Sequence, residues 1–419
     1  MVTAETHRAI EAVWRIESAR VIAGLTRIVR DVGVAEDLAH DALVAALEQW
    51  PESGIPENPG AWLMSTAKHR AIDLFRRNSM ADRKHEDLGR DYSARELSMP
   101  DLDSSLDDPI GDDLLRLIFI ACHPVLPKEA RLALTLRLLG GLTTDEIARA
   151  FVSSEPTIAQ RIVRAKRTLS DKQVPFEIPR GAELNERLAS VLEVIYLIFN
   201  EGYTATAGED WMRPALCEEA LRLGRILAEL APNEPEVYGL VALMEIQASR
   251  SRARTGPNGE PVLLMDQNRA QWDQLLIQRG LAALDRARKL GVSHGPYALQ
   301  AEIAACHARA RESQHTDWNR IVALYGELAE IIPSPIIELN RAVAVSMASG
   351  PQQALAIVDG LMSDARLSNY HLLPSARADF LKKLGRLEEA RTEFERAASM
   401  TQNSRERELL LERARQCAV

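Results

Sequence analysis

Residues 128–170 have the pattern of a helix-turn-helix, and this segment constrains the fold of the chain more than any other. Its first helix carries leucines at helical spacing and is predicted to end at Gly140-Gly141. Thr143 and Glu146 stand three residues apart, which is the spacing of a capping box at the start of a short second helix. The segment therefore predicts compact helical hairpins rather than strands.

The last helix of this segment has one apolar face and one basic face. Ser154 is a candidate N-cap, and Pro156 falls in the first turn, where a missing N–H costs no hydrogen bond. The apolar positions are Ile158, Ile162, Ala165 and Leu169, and the basic ones are Arg161, Arg164, Lys166, Arg167 and Lys172. In a helix-turn-helix the second helix enters the major groove. DNA binding is the favoured interpretation, and an ordinary hairpin with a solvated basic face is the alternative.

Composition favours an all-α protein of several domains. The 419 residues are 46% hydrophobic but only 5% aromatic, and Ala, Leu, Arg and Glu dominate. These residues prefer helices. No apolar run approaches the length of a membrane span, and the N-terminus is charged and amphipathic, unlike a signal peptide. We expect no membrane association.

The four cysteines are scattered along the chain, at Cys122, Cys217, Cys306 and Cys417. Their spacing matches neither a metal site nor a disulfide framework. We expect buried thiols in a reducing cytoplasm, no metal and no cofactor. Because no Gly-rich phosphate loop, nucleophile elbow or histidine cluster is present, we expect no enzymatic activity.

Negative charge is concentrated in one stretch. The whole chain has a net charge of −9, yet residues 78–113 alone hold 11 acidic and 4 basic residues. Residues 1–77 with 114–177 hold 17 acidic and 19 basic residues. Since local charge decides nucleic-acid affinity, the acidic total does not exclude DNA binding. The acidic, apolar-poor residues 78–109 are predicted to form a flexible linker.

Breaks in the helical pattern divide the chain into domains. Residues 1–77 are predicted to hold four helices, with a possible break near Ser18, and residues 110–175 to form the helix-turn-helix domain. From residue 181 to 419 the chain is helical again, with Pro- and Gly-containing turns. Gly350 and Gly385 lie 35 residues apart, close to the period of about 34 residues in tetratricopeptide repeats. A repeat-like solenoid is favoured over a non-repetitive bundle.

Two helices of the first domain carry opposite charge. The helix GVAEDLAHDALVAALEQW is predicted to expose Glu36, Asp37, His40 and Asp41. The helix AWLMSTAKHRAIDLFRR is predicted to project five basic side chains: Lys68, His69, Arg70, Arg76 and Arg77. Such a domain suits DNA on one side and a basic protein surface on the other.

These motifs together resemble the extracytoplasmic-function (ECF) sigma factors of bacterial RNA polymerase. The resemblance covers residues 1–172 and rests on EDLAHDALVAALEQW, NPGAWLMSTAKHRAIDLFRR and LTTDEIARAFVSSEPTIAQRIVRAKRTL in the family's order. The later stretches LIFNEGYTAT, NRAQWD, LNRAVAV and RADFLKKLGRLEEA resemble the subgroup with a tetratricopeptide-like extension. The resemblance implies two small helical sigma domains followed by a helical extension.

By this resemblance, residues 1–77 are sigma region 2, which opens the promoter −10 element and docks on the polymerase. The implied partners are core RNA polymerase, through the clamp of its largest subunit and the flap, and promoter DNA. Polymerase binding is expected at Asp37, His40 and Asp41, although the family commonly has Gln at the position of His40. DNA binding is expected at Asn58, Lys68, Arg70, Arg76 and Arg77.

Residues 110–175 are by the same resemblance sigma region 4, which reads the −35 element. DNA binding there is expected at Ser154, Thr157, Gln160, Arg161, Arg164, Lys166 and Arg167. The common family pattern Gly-Thr-Val-Arg-Ser-Arg is replaced here by PTIAQR. Gln160 has the chemistry to read adenine through two hydrogen bonds. The −35 preference of other members therefore does not transfer to this chain.

Helical repeats form concave surfaces that bind proteins. We therefore expect residues 181–419 to regulate the sigma domains in cis and to offer a site for a protein partner. Glu201, Tyr203 and Trp211 fall in a predicted turn of this half, where packing is their default explanation. A one-component regulator, with a helix-turn-helix and a sensing domain, is the alternative. Residues 33–77 argue against it, since such a regulator needs no second nucleic-acid domain.

Overall fold

A computed structural model of the chain is almost entirely helical, as the sequence predicts. It describes residues 2–86, 110–151, 153–205, 207–208, 211–257, 259–291 and 295–418. These residues form two compact units, Met1–Arg149 with Ser153–Val194 and Ala150–Val152 with Ile195–Val419. Within the described residues, every helix is too short or too polar to cross a lipid bilayer.

The first unit holds the helices of both predicted sigma domains. They are α1 (Val2–Val29), α2 (Val32–Ser53), α3 (Pro59–Glu86), α4 (Ile110–Ala121), α5 (Lys128–Leu138), α6 (Thr144–Ala150), α7 (Glu155–Asp171) and the first part of α8 (Ala182–Tyr203). The possible break near Ser18 is wrong, because α1 runs through it without interruption. Residues 1–77 therefore form three helices rather than four.

The third helix extends into the stretch predicted to be the acidic linker. Helix α3 continues to Glu86, past the predicted boundary at residue 77. The rest of the predicted linker, residues 87–109, lies outside the described residues. The bounds of the individual domains stay predictions.

The capping residues of the helix-turn-helix are where the sequence predicts them. Thr143 N–H donates to the Glu146 carboxylate at 2.8 Å, and Glu146 N–H donates to the Thr143 hydroxyl at 3.1 Å. Ser154 caps α7 by accepting a hydrogen bond from Thr157 N–H at 3.3 Å. Helix α7 buries the four predicted apolar residues and leaves Arg164, Arg167 and Lys172 of its basic face exposed.

The second unit continues the helical chain to the C-terminus. It contains the rest of α8 and helices α9 (Pro214–Leu230), α10 (Pro235–Ala248), α11 (Gln274–Leu290), α12 (Pro296–Arg309), α13 (Trp318–Ile331), α14 (Pro335–Ala348), α15 (Pro351–Leu361), α16 (Leu372–Lys383), α17 (Leu387–Met400) and α18 (Ser404–Arg415). Five of these helices begin at a proline, which fits the first turn of a helix. The prolines of the predicted turns therefore stand at helix starts.

Successive helices α13–α18 pack in chain order, as in a repeat protein. Gly350 and Gly385 each stand shortly before a helix. Their φ angles are positive, at 101° and 77°, a conformation that favours glycine. Phe380 and Phe394 are buried in the core of this part. A parallel pair of two-residue strands, β1 (Ala207–Gly208) and β2 (Gln402–Asn403), joins the C-terminal end of the unit to its beginning.

All four cysteines are free and buried, as predicted. Burial raises the pKa of Cys122 to about 11 and that of Cys217 to about 12. Both thiols therefore stay protonated at neutral pH, which makes them poor nucleophiles and poor metal ligands.

Candidate polymerase and promoter interface

Helix α7 presents most of its predicted DNA-binding residues to solvent. Ser154, Thr157 and Gln160 are exposed in its first turns, and Arg164 is exposed further along. The Ser154 and Thr157 hydroxyls lie 2.7 Å apart and hydrogen-bond each other. Arg161 is half-buried. Since base edges are read from the N-terminal turns of such a helix, the exposed residues lie where base contacts are made.

Two further basic residues of α7 have acidic partners. Arg167 is highly exposed and lies 3.4 Å from the Asp171 carboxylate on the same helix. Lys166 is largely buried and forms an ion pair with Glu36 of α2. Arg167 is thus open to an approaching phosphate, whereas Lys166 is engaged within the protein.

Glu36 is the centre of a buried charge cluster between α2 and the helix-turn-helix. The prediction that Glu36 is exposed is wrong, because only 3% of its surface is accessible. Arg137 Nε of α5 donates to Glu36 Oε1 at 2.7 Å, and Lys166 binds the other carboxylate oxygen. Burial by itself raises the pKa of Glu36, but Lys166 and Arg137 outweigh it and hold the pKa below its ordinary value. We call Glu36, Arg137, Lys166 and His40 the Glu36 cluster.

His40, a predicted polymerase-binding residue, belongs to this cluster. Its Nε2 lies 2.9 Å from an Arg137 guanidinium nitrogen, and its Nδ1 lies 2.9 Å from the Glu36 carbonyl oxygen. The Trp14 ring covers it with the ring centroids 5.3 Å apart. Asp37 is exposed on the same helix. The predicted polymerase-binding face of α2 is therefore partly covered by α5.

The third predicted polymerase-binding residue, Asp41, pairs with a predicted DNA-binding residue. Arg70 of α3 lies 3.3 Å from the Asp41 carboxylate, and both side chains are well exposed. An exposed pair of this kind is worth little and opens readily. Asp41 therefore stays available to the polymerase, and Arg70 stays available to DNA.

The remaining predicted DNA-binding residues of the first domain lie on or just before α3. Asn58 is exposed and caps α3 by accepting a hydrogen bond from Ala61 N–H at 3.1 Å. Lys68 is half-buried, and Arg76 is exposed, 3.9 Å from Asp73. The side chain of Arg77 lies outside the described residues. The hydrogen bond from Ala61 N–H to Asn58 ties the end of the preceding loop to the first turn of α3.

Two further ion pairs join helices of the first unit. Arg15 of α1 contacts Glu146 of α6 at 2.7 Å, and Arg27 of α1 contacts Asp113 of α4 at 3.2 Å. Together with the Glu36 cluster they join α1 and α2 to the helices of the predicted second sigma domain. The two predicted sigma domains therefore pack against each other.

The first part of α8 packs on the helix-turn-helix domain in the same unit. Arg187 donates to the Phe119 carbonyl oxygen at 2.9 Å, and the Ser190 hydroxyl donates to the Cys122 carbonyl oxygen at 2.6 Å. Arg131 of α5 donates to the Ser190 hydroxyl and lies 3.4 Å from the carboxylate of Glu193. The chain after the predicted −35 domain thus begins as an integral part of that domain.

Sequence reasoning missed the two residues that hold this arrangement. Arg137 lies on the polar side of α5, where it resembles any solvated cation, and Glu36 resembles an ordinary exposed helix residue. One signal was available: Glu36 and His40 stand four residues apart and share a helix face. Nothing in the sequence indicates that this face meets α5 and α7.

Comparison with known families gives three matches, one in each of the three predicted helical parts of the chain. Residues 15–80 match sigma-70 region 2, and residues 116–169 match sigma-70 region 4. Residues 187–288 match a family of unknown function, DUF6596. The third match begins within α8.

Similar proteins come from several bacteria. An uncharacterized protein of Rhizobium meliloti (strain 1021) is 43% identical over 389 residues, covering 92% of this chain and 90% of that protein. The probable ECF RNA polymerase sigma factor SigI of Mycobacterium tuberculosis is 26% identical over 172 residues, 41% of this chain and 58% of its own length. The ECF RNA polymerase sigma factor SigK of Mycobacterium sp. (strain KMS) is 27% identical over 158 residues, 37% of this chain and 77% of its own length.

Proposed function

This chain belongs to the ECF sigma factors, and we propose that it acts by docking α2 on the clamp of core RNA polymerase and reading promoter DNA with α3 and α7. Sigma factors initiate transcription without catalysing a reaction themselves. In this proposal Asp37, His40 and Asp41 contact the polymerase, and region 4 also contacts the flap. The observation that carries the proposal is the exposed, capped N-terminus of α7 within a chain that also contains region 2.

Region 2 and region 4 have separate tasks on the promoter. Melting the −10 element costs unstacking energy that is recovered by holding unpaired bases. The loop ending at Asn58 and the cations Lys68, Arg70, Arg76 and Arg77 are our candidates for that step. On α7, Gln160 and Thr157 are candidates for base contacts. The exposed side chains of Arg164 and Arg167, with the half-buried Arg161, are candidates for phosphate contacts.

The packing of region 2 on region 4 must open before both promoter elements are bound. The −10 and −35 elements lie about 25 base pairs apart, which is about 85 Å at roughly 3.4 Å per base pair. In the structure α2 and α7 are joined by the ion pair between Glu36 and Lys166. Opening also releases Lys166 for DNA and His40 for the polymerase. The observed arrangement is therefore proposed to be the resting state.

The C-terminal region is proposed to stabilise this resting state in cis and to offer a surface for a protein partner. The contacts of Arg187, Ser190 and Glu193 with region 4 support the first part, because they bind the start of the extension to the helices that must move. Replacing Ser190 and Glu193 by alanine in the full chain should increase promoter-directed transcription severalfold. Replacing the exposed Glu186 by alanine serves as the control on the same helix.

A fall in transcription in the double variant, or no difference from the Glu186→Ala control, would contradict cis inhibition. A chain ending after residue 175 gives a second measurement, since the proposal expects it to bind core polymerase more tightly than the full chain does. Equal binding of core polymerase by both chains would also contradict inhibition by the C-terminal region.

Docking on the polymerase is tested by size exclusion of the full chain mixed with core RNA polymerase. The wild-type chain should comigrate with the polymerase, and the Asp37→Arg/Asp41→Arg variant should not, because it reverses the charge of the proposed clamp-facing side. Glu48→Arg reverses an exposed charge elsewhere on α2 and should leave comigration intact. Loss of comigration in Glu48→Arg as well would mean that any charge reversal disturbs α2.

The one-component regulator makes a different prediction for DNA. It would bind a duplex promoter equally well with and without core polymerase. The sigma-factor proposal expects tight promoter binding only in the presence of core polymerase. The match to region 2 over residues 15–80 favours the sigma factor.

A further inference from the structure

Two arginines of the second unit are buried against aromatic rings. Arg250 is 8% exposed and Arg254 is 9% exposed. The Arg254 guanidinium carbon lies 3.6 Å from the ring centroid of Tyr203 and 5.5 Å from that of Trp211. The Arg250 guanidinium carbon lies 5.7 Å from the ring centroid of Tyr203 and 5.8 Å from that of Trp272. We call these five residues the arginine–aromatic cluster.

The hydrogen bonds of both arginines go to neutral groups. Arg254 donates to the Tyr203 carbonyl oxygen and to the Thr204 hydroxyl, each at 2.9 Å. Arg250 donates to the side-chain oxygen of Gln247. Across the described ranges, no carboxylate forms an ion pair with either guanidinium group. Two guanidinium groups are therefore buried near the same ring, that of Tyr203, without a carboxylate partner among the described residues.

The described acid that precedes Tyr203 in the sequence already has a partner. Glu201, two residues before Tyr203, forms an ion pair with Arg213. Its carboxylate is therefore committed to a cation outside the cluster.

The cluster also has more hydrogen-bond donors than acceptors. Five of its buried donor atoms have no acceptor in the part of the chain that the structure describes: Nε of Arg250, Nε of Arg254, the hydroxyl of Tyr203, Nε1 of Trp211 and Nε1 of Trp272. Buried polar groups in proteins are nearly always hydrogen-bonded, so a concentration of unsatisfied donors calls for an explanation. A ligand with several acceptor oxygens would supply acceptors to those donors that face it.

Electrostatics favour a negatively charged ligand over a neutral one. Burial lowers the pKa of Arg250, and the adjacent charge of Arg254 lowers it further. Aromatic faces attract guanidinium groups, but they carry no net charge and do not cancel the repulsion between two cations. An anion between the two guanidinium groups would cancel it.

We propose that the arginine–aromatic cluster binds a small oxyanion, a phosphate or carboxylate group, between Arg250 and Arg254. Each guanidinium presents a planar fork of donors that matches such groups. The Tyr203 hydroxyl is a buried donor without an acceptor among the described residues, and in this proposal it donates a further hydrogen bond. The proposal does not rest on the sigma-factor function, and it makes the C-terminal region a ligand-binding domain.

A cavity beside the cluster offers an approach for an anion. Arg269 links the two: its guanidinium carbon lies 4.8 Å from the ring centroid of Trp272, and it donates to the Ala310 carbonyl oxygen at 2.7 Å. Ala310 lines a cavity of about 400 Å³. The other residues lining it are Cys306, Arg309, Arg311, His315, Asp317 and Arg320. Arg309 and Arg320 pair with Glu302 and Glu327, so Arg311 is the cation of this lining without a carboxylate partner among the described residues.

The proposal is tested by thermal unfolding of the full chain in millimolar phosphate, acetate or chloride at equal ionic strength. Because a ligand that binds only the folded state raises its stability, the Tm should rise with phosphate or acetate and then saturate. Chloride should have no such effect. Whichever of phosphate and acetate acts at the lower concentration identifies the group that the site prefers. An equal rise in all three salts, or no rise in any, overturns the proposal.

Arg250→Met tests the site itself. It removes a buried unpaired charge, so without anion its Tm should equal or exceed that of the wild type, and the anion-dependent rise should disappear. A markedly lower Tm without anion would show that Arg250 is a structural residue, which overturns the proposal. Arg286→Met is the control, because Arg286 also lies over an aromatic ring, 5.8 Å from the Tyr238 centroid, but is exposed.

Arg254→Lys gives a second measurement that keeps the charge but removes the planar fork. Titration followed by tryptophan fluorescence should show the apparent affinity for the preferred anion weakened at least tenfold, since Trp211 and Trp272 line the cluster. Unchanged affinity in this variant would overturn the placement of the anion at Arg254.

Discussion

Each compact unit buries a charge cluster, and the two clusters differ in their balance. In the first unit, the Glu36 carboxylate is bound by Arg137 and Lys166, so a negative charge lies between two positive ones. In the second unit, Arg250 and Arg254 are buried with aromatic rings and neutral acceptors around them.

This difference separates two uses of buried charge. A balanced cluster between two sets of helices is satisfied only while those helices stay together, so it stabilises one arrangement of the protein. An unbalanced cluster within one unit is satisfied only when something else binds. The Glu36 cluster therefore opposes the separation of region 2 from region 4, and the arginine–aromatic cluster favours the binding of an anion.

The largest expected effect comes from removing the centre of the balanced cluster. Glu36→Ala leaves Arg137 and Lys166 facing each other without a counterion, and breaking a buried pair in this way costs about 3–5 kcal/mol. Both cations reach water if α2 and α7 separate, so we expect opening rather than complete unfolding. Labels on cysteines introduced at the exposed Val44 and Val163 should report a longer and broader distance in the variant.

Glu48→Ala is the matched control, because it removes an exposed acid from the same helix. It should leave the label distance unchanged. If Glu36→Ala also leaves it unchanged, the Glu36 cluster does not hold the two regions together. The open variant should in addition bind core polymerase more tightly than the wild type, since His40 is released.

The sequence predicts local features well and the balance of these clusters poorly. The capping box at Thr143 and Glu146, the Ser154 cap and the buried face of α7 follow from spacing, because each involves residues within about one or two turns. The ion pair between Glu36 and Lys166 joins residues 130 positions apart, and its existence depends on how helices pack. Glu36 was therefore predicted to be exposed.

The second cluster was hidden for the same reason. Tyr203 and Trp211 were predicted to lie in a turn, with packing as their default explanation, but Arg250 and Arg254 lie about 50 residues after Tyr203 and have no distinctive pattern. An arginine in sequence predicts exposure, since isolated charges are rarely buried. Only packing shows that both are buried without a carboxylate partner among the described residues.

A second prediction concerns the pH dependence of the second unit. Burial, with the nearby charges of Arg250 and Arg269, lowers the pKa of His307 from 6.5 to about 3. Between these values the unfolded chain binds a proton that the folded chain does not, so the free energy of unfolding falls as the pH falls. From pH 7 to about 5 this loss is about 2 kcal/mol. Urea unfolding at pH 7 and about pH 5 measures it.

His307→Gln should remove this part of the pH dependence, while His315→Gln, an exposed histidine of the same segment, should not. An anion bound between the two arginines would offset the positive field at His307, so saturating phosphate or acetate should reduce the loss. A pH dependence that is the same in the wild type and in His307→Gln would contradict the buried neutral histidine.

The smallest expected effect comes from an exposed ion pair at the same contact between regions 2 and 4. Arg15 and Glu146 lie 2.7 Å apart, but the Arg15 side chain is 61% exposed. Exposed pairs contribute roughly 0–1 kcal/mol and are screened by salt, so Arg15→Ala should lower the free energy of unfolding by at most that amount. The distance between labels at Val44 and Val163 should stay that of the wild type. If Arg15→Ala instead separates the two labels as much as Glu36→Ala does, exposed ion pairs hold regions 2 and 4 together as strongly as the buried Glu36 cluster does. Burial of the charges would then not be the reason why the Glu36 cluster stabilises this contact.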